Sequence, residues 1–284
     1  MQAGWRKKSH LFPVMRIGIF DSGFGGLTVY SAIRQRLPQY DYLYLGDNAR
    51  TPYGSRSFEA ILRFTTECVE YLFDQDCALV VIACNTASAK ALRTIQQKLL
   101  PEKYPDRRVL GVIRPSAEAL SHYPAGSRVA LWATEGTVRS DSYAMELAKL
   151  APGIQLTQII CPMLVPLVES GEISGEGLDY FLKRYWHETL SLSPNVNALL
   201  LACTHYPLLY PAIRRIIPVE TEILVQGEIV GPSLENYLRR HPEMKARLSQ
   251  NMAENFLTTD QTEGFGRLAS LFLGRNVTAG QVQI

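Results

Sequence analysis

The stretch ALLLACTHYPLL, residues 198–209, joins the pattern of a buried strand to a group of reactive side chains. An unbroken apolar run leads directly to Cys203, Thr204 and His205, and a proline follows shortly afterwards. A short continuous apolar run is typical of a strand buried on both faces of a parallel sheet. Ligands of open α/β sheets bind at the carboxyl ends of such strands. The pattern therefore predicts that Cys203 and His205 belong to a site.

A second stretch, LVVIACNTASA at residues 79–89, repeats this arrangement and places Cys84 after a similar apolar run. RIGIFDS at 16–22 likewise parallels RVALWAT at 128–134, at a similar distance before each cysteine. Short matches of this kind also arise by coincidence, but two matches in the same order favour an internal repeat. We expect two related halves whose strand ends face each other across one cleft, with a cysteine on each side.

Apolar runs and helical patterns alternate along the whole chain, which predicts an α/β fold with parallel sheets flanked by helices. The strands are predicted at 16–20, 41–47, 78–84, 108–113, 128–134, 154–162, 197–203, 221–225 and 255–260. The helices are predicted at 26–37, 57–73, 86–100 (ended by Pro101), 137–150, 163–170, 176–190, 210–217, 232–241 and 262–274. The expected division is a disordered extension over 1–15, a first domain of 16–114 plus 226–284, and a second domain of 115–225. The extension could also reflect an upstream start, since Met15 directly precedes the first strand.

Composition limits the class of protein. The chain of 284 residues is 46% hydrophobic and 20% charged with a formal net charge of +2, so no strong field favours nucleic acid or an anionic membrane. No apolar run approaches the ~20 residues of a membrane span, and LFPVM is too short for a signal-peptide core. We therefore expect a cytoplasmic protein without nucleic-acid or membrane partners.

The five cysteines are free thiols on this interpretation, because their number is odd and no CxxC pair occurs. Cys68 and Cys77 are expected to be buried structural residues. A free thiol titrates near ~8.5, so its ionisation at pH 7 costs about 2 kcal/mol. His205 and Asp21 are placed to serve as proton partners for Cys203 and Cys84 respectively. Asp21 could equally be a helix N-cap.

The glycine-rich stretch DSGFGGLTV at 21–29 is not a dinucleotide fingerprint, because Thr28 stands where the third glycine is required. There is no Walker motif, no lysine placed for pyridoxal phosphate and no flavin motif. We expect no cofactor and no metal. The turn's backbone N–H groups and nearby hydroxyl groups suit a small charged ligand.

Two facing thiols with separate proton partners suit the inversion of a stereocentre, since one thiolate removes a proton and the other thiol returns one to the opposite face. Other classes stay open on the residues alone. A Cys–His hydrolase would use Cys203 and His205 but leave Cys84 without a role. Cys84, Cys203 and His205 could bind a metal ion. A non-catalytic regulator on the same fold is a further alternative.

Five motifs in this order closely resemble the cofactor-independent glutamate racemases of the aspartate/glutamate racemase superfamily: IGIFDSGFGGLTV, YLGDNARTPYG, VIACNTASA, ATEGT and LLLACTHYPLL. The resemblance extends from about Arg16 to Leu209 and is weaker beyond. It implies a two-domain α/β fold with the active site between the domains, and a cytoplasmic isomerase. It also implies a supply of D-glutamate for peptidoglycan and hence for cell wall and cell shape. Aspartate racemase and other superfamily activities, such as a decarboxylase or another isomerase, are sister alternatives. Glutamate is the expected small-molecule partner, and the resemblance allows a homodimer.

The resemblance also implies roles for particular residues. Cys84 and Cys203 are the acid/base pair, and Asp21 and His205 assist them. The implied substrate-binding residues are Asp21, Ser22, Tyr53, Gly54, Asn85, Thr86, Thr134, Thr137, Thr204 and Glu169. Glu169 could instead be an exposed charge at a helix end. The resemblance also places Asp47 at the site, and Asp47 could instead organise the loop that carries Tyr53.

Two positions depart from the family pattern. Arg114 stands where many relatives have an acidic residue, and Gln226 stands where an Asp-Ser pair is common. Both are expected near the crossings between the domains, and neither is expected to touch the thiols. Because of these two departures, the resemblance does not settle the hinge behaviour between the domains or the regulation of the protein. The proton-transfer chemistry implied by the resemblance is not affected.

Overall fold

The apolar runs form two parallel sheets in a computed structural model that describes residues 15–284. Within these residues the first sheet has the order β10-β9-β2-β1-β3-β4, and every paired strand is parallel. Its strands are β1 (Arg16–Asp21), β2 (Tyr42–Gly46), β3 (Cys77–Ile82), β4 (Arg108–Gly111), β9 (Glu254–Thr258) and β10 (Gly280–Gln281).

The second sheet has the order β6-β5-β7-β8 and is also parallel throughout. Its strands are β5 (Arg128–Ala133), β6 (Gln155–Ile160), β7 (Ala198–Ala202) and β8 (Glu222–Val225). Strands β1 to β4 of the first sheet have the same spatial order as β5 to β8 of the second. The expected relation between the two halves thus extends from the sequence to the topology. The predicted domain boundaries stay a prediction, although both fall between strands of different sheets.

Helices connect successive strands. In chain order they are α1 (Leu27–Arg36), α2 (Phe58–Asp74), α3 (Asn85–Lys90), α4 (Leu92–Thr94), α5 (Leu100–Lys103), α6 (Ile113–Leu120), α7 (Glu135–Arg139), α8 (Ser142–Leu150), α9 (Leu164–Glu169), α10 (Glu176–Leu192), α11 (Tyr210–Ile216), α12 (Gln226–Arg240), α13 (Pro242–Lys245) and α14 (Thr262–Leu273). Short 3-10 turns lie at Asn48–Arg50 and Tyr206–Leu209. None of the helices in the described part of the chain is long and apolar enough to cross a membrane.

Apolar burial fixes the two strands that carry the cysteines. Every residue of β3 and of β7 is buried, as expected for central strands covered on both faces. Each strand ends one or two residues before its cysteine, so the thiols lie at the carboxyl edges of their sheets. Helix α12 begins directly after β8 and packs closely on α1, since a Cβ at Gly227 would lie 2.9 Å from the Cβ of Ala32. The chain thereby returns from the second sheet to the first.

Several predicted boundaries are wrong. The helix predicted over 232–241 begins six residues earlier, at Gln226, and contains Pro232. The helix after Cys84 does not end at Pro101, because a π-helical turn at Ile95–Leu99 runs into α5 and the proline occupies a first-turn position that needs no N–H donor. The strand predicted over 108–113 ends at Gly111, and a helix that the sequence reading omitted begins at Ile113. Burial of the apolar face of α6 outweighs the strand propensity of its first residues.

The helix predicted over 137–150 is two helices, α7 and α8. They are separated at Asp141, whose φ of 56° is left-handed and therefore interrupts a right-handed helix. At the amino-terminal end, the predicted extension lies outside the described residues apart from Met15. Met15 is buried, and its N–H donates to the Arg247 carbonyl at 2.9 Å.

Candidate active site

A cavity of about 220 Å³ lies where the carboxyl ends of the two sheets meet. It contains both cysteines singled out by the sequence, each with 6% of its surface exposed. The lining residues predicted from the sequence are Ser22, Tyr53, Gly54, Cys84, Asn85, Thr86, Thr134, Glu169, Cys203, Thr204 and His205. The structure therefore brings together residues from both halves in a single concave, mainly buried site, which is the usual form of a small-molecule site.

Cys84 occupies the N-cap position of α3. Its Sγ accepts the Ala87 N–H at 3.5 Å and lies 3.4 Å from the Ser22 hydroxyl oxygen. Burial raises the pKa of the Cys84 thiol to about 12, with a further rise from the Asp21 charge, while the two hydrogen bonds act in the opposite direction. This thiol is therefore protonated at neutral pH, the form that can donate a proton.

Cys203 has a different setting, because it lies beside an imidazole that is itself paired with a carboxylate. Its Sγ is 3.9 Å from His205 Nδ1, and His205 Nε2 is 3.0 Å from Glu169 Oε1. Burial alone would lower the pKa of His205, but the hydrogen bonds to Cys203 and Glu169 outweigh it and raise the pKa to about 10. His205 is thus an imidazolium at neutral pH, and its positive charge lies next to the Cys203 sulfur.

Asp21 is fully buried and holds the glycine-rich turn. Its Oδ2 accepts the Gly23 N–H at 3.0 Å, and its Oδ1 accepts the Thr204 hydroxyl at 3.4 Å. The alternative role as an N-cap is wrong, because α1 begins only at Leu27 after Gly26. Burial raises the pKa of the Asp21 carboxyl, although the nearby charge of His205 opposes the rise. Asp21 lies behind the cavity lining, next to the groups that form it.

The glycine-rich turn of the first half packs directly on the thiol loop of the second. A Cβ at Gly25 would lie 2.3 Å from Thr204 Oγ1 and 2.5 Å from His205 Nδ1, so only glycine fits there. Thr28, which breaks the dinucleotide fingerprint, donates its hydroxyl to the Thr204 carbonyl at 2.9 Å. The turn therefore positions the Cys203 loop instead of binding a pyrophosphate.

The loop that carries Tyr53 is fastened by Asp47. The Tyr53 hydroxyl donates to Asp47 Oδ2 at 2.5 Å, Arg50 Nε donates to the same oxygen at 2.7 Å, and the Thr259 hydroxyl donates to Oδ1 at 2.9 Å. Asp47 thus organises this loop, which is one of the two roles considered for it. The loop lines the cavity with Tyr53 and Gly54, while the Tyr53 hydroxyl is held by Asp47.

Three threonine hydroxyls meet at the end of the site formed by α3 and α7. The hydroxyl oxygens of Thr86 and Thr134 are 2.9 Å apart, and that of Thr137 lies 3.1 Å from Thr134. Thr134 caps α7 by accepting the Thr137 N–H at 3.4 Å. Thr137 lies behind the other two and does not line the cavity, whereas Thr86 and Thr134 do.

Several lining residues were not predicted from the sequence: Thr51, Pro52, Ser55, Glu135, Cys161, Pro162, Val165 and Pro166. A usable signal existed for Cys161 and Pro162, because they follow β6 at the same sheet edge as the predicted site residues. Burial raises the pKa of Cys161 well above its usual range. In the described part of the chain, no cluster of three His, Cys, Asp or Glu side chains is arranged to hold a metal ion.

The two departures from the family pattern lie in different surroundings. Arg114 is exposed and pairs with Glu118 at 2.9 Å and Glu146 at 3.3 Å. Gln226 is buried, and its side chain contacts that of Asn85 next to Cys84. The side-chain hydrogen bonds of Gln226 go to Asn85, Ser116 and Tyr143 and not to either thiol, and Asn85 links Gln226 to the cavity.

The fold and the site together define an enzyme class: an α/β protein with a cavity between two repeated parallel sheets and a cysteine at the end of an equivalent strand in each. The chain belongs to the Asp/Glu/Hydantoin racemase family, whose model matches residues 17–226. The glutamate racemase of Paracoccus denitrificans is 41% identical over 270 residues, covering 91% of this chain and 97% of that one.

Solved structures support the same assignment. A glutamate racemase isoform from Bacillus anthracis superposes with a TM-score of 0.85 at 32% identity, over 95% of this chain and 98% of that one. The glutamate racemase of Francisella tularensis in complex with D-glutamate gives a TM-score of 0.82 at 29% identity, over 95% and 97% of the two chains. The resemblance seen in the sequence and the predicted fold class are confirmed, and the chain is an isomerase. The hydrolase and the non-catalytic regulator are thereby set aside.

Proposed function

We propose that the chain interconverts L-glutamate and D-glutamate by direct proton transfer at Cα between the substrate and two thiols, without a cofactor. The observation that carries this proposal is the placement of Cys84 and Cys203 after equivalent strands, β3 and β7, in one cavity. The names of the relatives and the D-glutamate complex of the Francisella tularensis enzyme support glutamate as the substrate.

In the proposed reaction, the thiolate of one cysteine takes the Cα proton and leaves the electron pair of the broken C–H bond on the substrate. The thiol of the other cysteine then gives its proton to the opposite face, which forms the new C–H bond and leaves a thiolate. The imidazolium of His205 stabilises the thiolate of Cys203, and Glu169 holds the imidazolium. Asp21 acts on the Cys84 side through its charge.

Substrate recognition is assigned to the polar groups around the two sulfurs. Ser22, Asn85 and Thr204 are adjacent in sequence to Asp21, Cys84 and Cys203, so they suit the amino and carboxylate groups on Cα. Thr86 and Thr134 would bind the distal carboxylate, with Thr137 supporting them from behind. Tyr53 and Gly54 complete the site on the loop side.

The wider role follows from the same family. We infer that the product D-glutamate serves peptidoglycan synthesis in the cytoplasm, and thereby cell-wall formation and cell shape. The absence of nucleic-acid and membrane partners and the possibility of a homodimer stay predictions from the sequence.

A polarimetric assay tests the proposal. The purified protein, after exhaustive dialysis against a chelator, should bring the circular dichroism of pure L-glutamate and of pure D-glutamate to zero without any addition. L-aspartate under the same conditions should lose its signal far more slowly. A stable signal with both glutamate enantiomers, or faster decay with aspartate, would overturn the assignment.

A further inference from the structure

Gln226 is a buried polar residue at the junction of both halves. It is the first residue of α12, directly after β8, and 1% of its surface is exposed. Its carboxamide lies within hydrogen-bonding distance of Asn85 on α3, Ser116 on α6 and Tyr143 on α8. A buried carboxamide surrounded by polar partners from three other helices does more than fill space, because each of these contacts constrains the orientation of the group it touches.

Gln226 and Asn85 form a reciprocal carboxamide pair. Asn85 Nδ2 donates to Gln226 Oε1 at 2.5 Å, and Gln226 Nε2 donates to Asn85 Oδ1 at 3.1 Å. The Tyr143 hydroxyl donates to the same Oδ1 at 2.7 Å and accepts from Gln226 Nε2 at 2.8 Å. Asn85 Oδ1 therefore has two donors within hydrogen-bonding distance, the Tyr143 hydroxyl and Gln226 Nε2, and the two hydrogens of that Nε2 are shared among Asn85, Tyr143 and Ser116. One of the two Nδ2 hydrogens of Asn85 is used.

This arrangement fixes which end of the Asn85 carboxamide can serve a ligand. With its oxygen occupied by two donors, Asn85 has one N–H left to offer, and Asn85 lines the cavity next to Cys84. A carboxamide without this pairing could rotate by half a turn and present its oxygen, which would repel a carboxylate. Gln226 does not itself line the cavity.

We propose that Gln226, together with Tyr143, is a positioning residue that holds the Asn85 carboxamide as a hydrogen-bond donor toward an anionic group of the substrate. This inference rests on the proposed function, because it deepens the recognition of that substrate. It also connects the start of α12 to the cavity.

The test compares three variants that each remove a buried hydrogen-bonding partner. Gln226→Met keeps the length of the side chain but removes both bonds between Gln226 and Asn85. Tyr143→Phe removes the separate bond that the Tyr143 hydroxyl donates to Asn85 Oδ1. Each should raise KM for glutamate, on the order of tenfold for Gln226→Met and less for Tyr143→Phe, with a smaller change in kcat. Ser116→Ala is the matched control, since its hydroxyl contacts Gln226 and the Val112 carbonyl but not Asn85. It should lower thermal stability and leave KM unchanged.

A double variant separates positioning from a general structural effect. In the Asn85→Ala background, adding Gln226→Met should change KM no further, because the group through which Gln226 acts is missing. Multiplication of the two single effects on KM, or a loss of stability in Gln226→Met with unchanged KM, would overturn the inference. The parent protein in the same assay tests the proposed function separately, since an inactive parent contradicts the racemase assignment and not the pairing of Gln226 with Asn85.

Discussion

His205 Nε2 lies 3.0 Å from Glu169 Oε1, and the opposite nitrogen of the same ring lies 3.9 Å from the sulfur of Cys203. The second thiol has different neighbours, because Cys84 lies beside the Ser22 hydroxyl and the charge of Asp21. The two halves therefore repeat the strand that presents the thiol but not the group that assists it. An imidazolium lies beside one sulfur, whereas a carboxylate disfavours the charged form of the other.

This asymmetry predicts a one-sided effect of His205→Asn. Proton transfers made by Cys203 should slow, and kcat should fall roughly 10- to 100-fold. The ratio of kcat/KM between the two directions cannot change, because the enantiomers have equal free energies. With Cα-deuterated glutamate, the isotope effect on kcat should rise in the direction in which Cys203 abstracts and fall in the other. Isotope effects that are equal in both directions and unchanged from the parent would contradict a role confined to Cys203.

The stability of the protein should depend on the charge of His205. Its pKa is about 10 in the folded chain, compared with ~6.5 when unfolded. A raised pKa stabilises the folded state fully below pH ~6.5, and this contribution disappears as the pH rises through about 10. The free energy of unfolding of the parent should therefore exceed that of His205→Asn most at pH 6, by no more than about 5 kcal/mol. Urea unfolding at pH 6, 8 and 10 measures the difference in free energy of unfolding between the parent and His205→Asn. A difference that grows as the pH rises would contradict the prediction.

Gly25 should tolerate no side chain. The Cβ of Gly25→Ala would lie 2.5 Å from His205 Nδ1, so the variant must displace the ring or the turn. We expect a loss of activity of 100-fold or more, because small misplacements of catalytic groups are costly. Gly177→Ala on α10 is the matched control, since no atom lies within 4 Å of its added Cβ. It should keep full activity with equal or slightly higher thermal stability. Near-normal activity of Gly25→Ala would contradict the prediction, because it would show that the loop carrying Cys203 and His205 can move to accommodate the added methyl group.

Tyr53 should act through the loop it anchors. Tyr53→Ala removes a buried ring together with its bond to Asp47, so it should raise KM more than it lowers kcat. Tyr53→Phe keeps the ring and loses only the hydroxyl, and should cost about 1 kcal/mol of stability with little change in KM. Steady-state kinetics at low temperature, together with thermal unfolding, distinguish the two effects. If Tyr53→Ala has normal kinetics at low temperature, the loop is an ordinary turn and has no role in substrate binding.

Much of the candidate site could be predicted from the sequence because its main signals are local. Cys84 and Cys203 each follow an apolar run, and buried parallel strands bring their carboxyl ends to one edge. The contacts that join the two halves are not local in the sequence. Thr28 meets Thr204, and Gln226 meets Asn85, through pairs far apart in the chain. No periodicity or local spacing encodes such pairs, so the contact between Gln226 and Asn85 could not be predicted from the sequence.

The helix boundaries show the same limit. A proline normally marks the end of a helix, but the π-helical turn before Pro101 provides a position in which its missing N–H is not needed. Ile113 has a high strand propensity, yet it begins α6 because the buried face of that helix requires it. In both cases the outcome depends on packing against elements distant in sequence.

Two thiols on opposite sides of a substrate make a prediction that a single base cannot satisfy. In heavy water both sulfurs exchange their protons for deuterons, so the thiol that donates carries deuterium while the other thiolate receives the original proton. The first-formed product enantiomer should therefore contain deuterium at Cα, and recovered substrate should stay protiated at early times. Mass spectrometry after chiral separation measures both. A single base that moves between the two faces would return part of the original proton to the product.

Substitution of the thiols tests the same assignment from the protein side. Cys84→Ala and Cys203→Ala should each reduce racemisation by at least 1,000-fold, because either change removes one half of the transfer. Cys77→Ala and Cys68→Ala are matched controls, since both thiols are buried in the first half and neither lines the cavity. They should keep kcat near that of the parent and lose about 1 kcal/mol or more of stability, as expected when a buried side chain is shortened. An active Cys84→Ala enzyme, or product that retains the substrate proton, would refute two-base catalysis without contradicting the fold. In that case only one of the two thiols at the ends of the repeated strands would take part in the reaction.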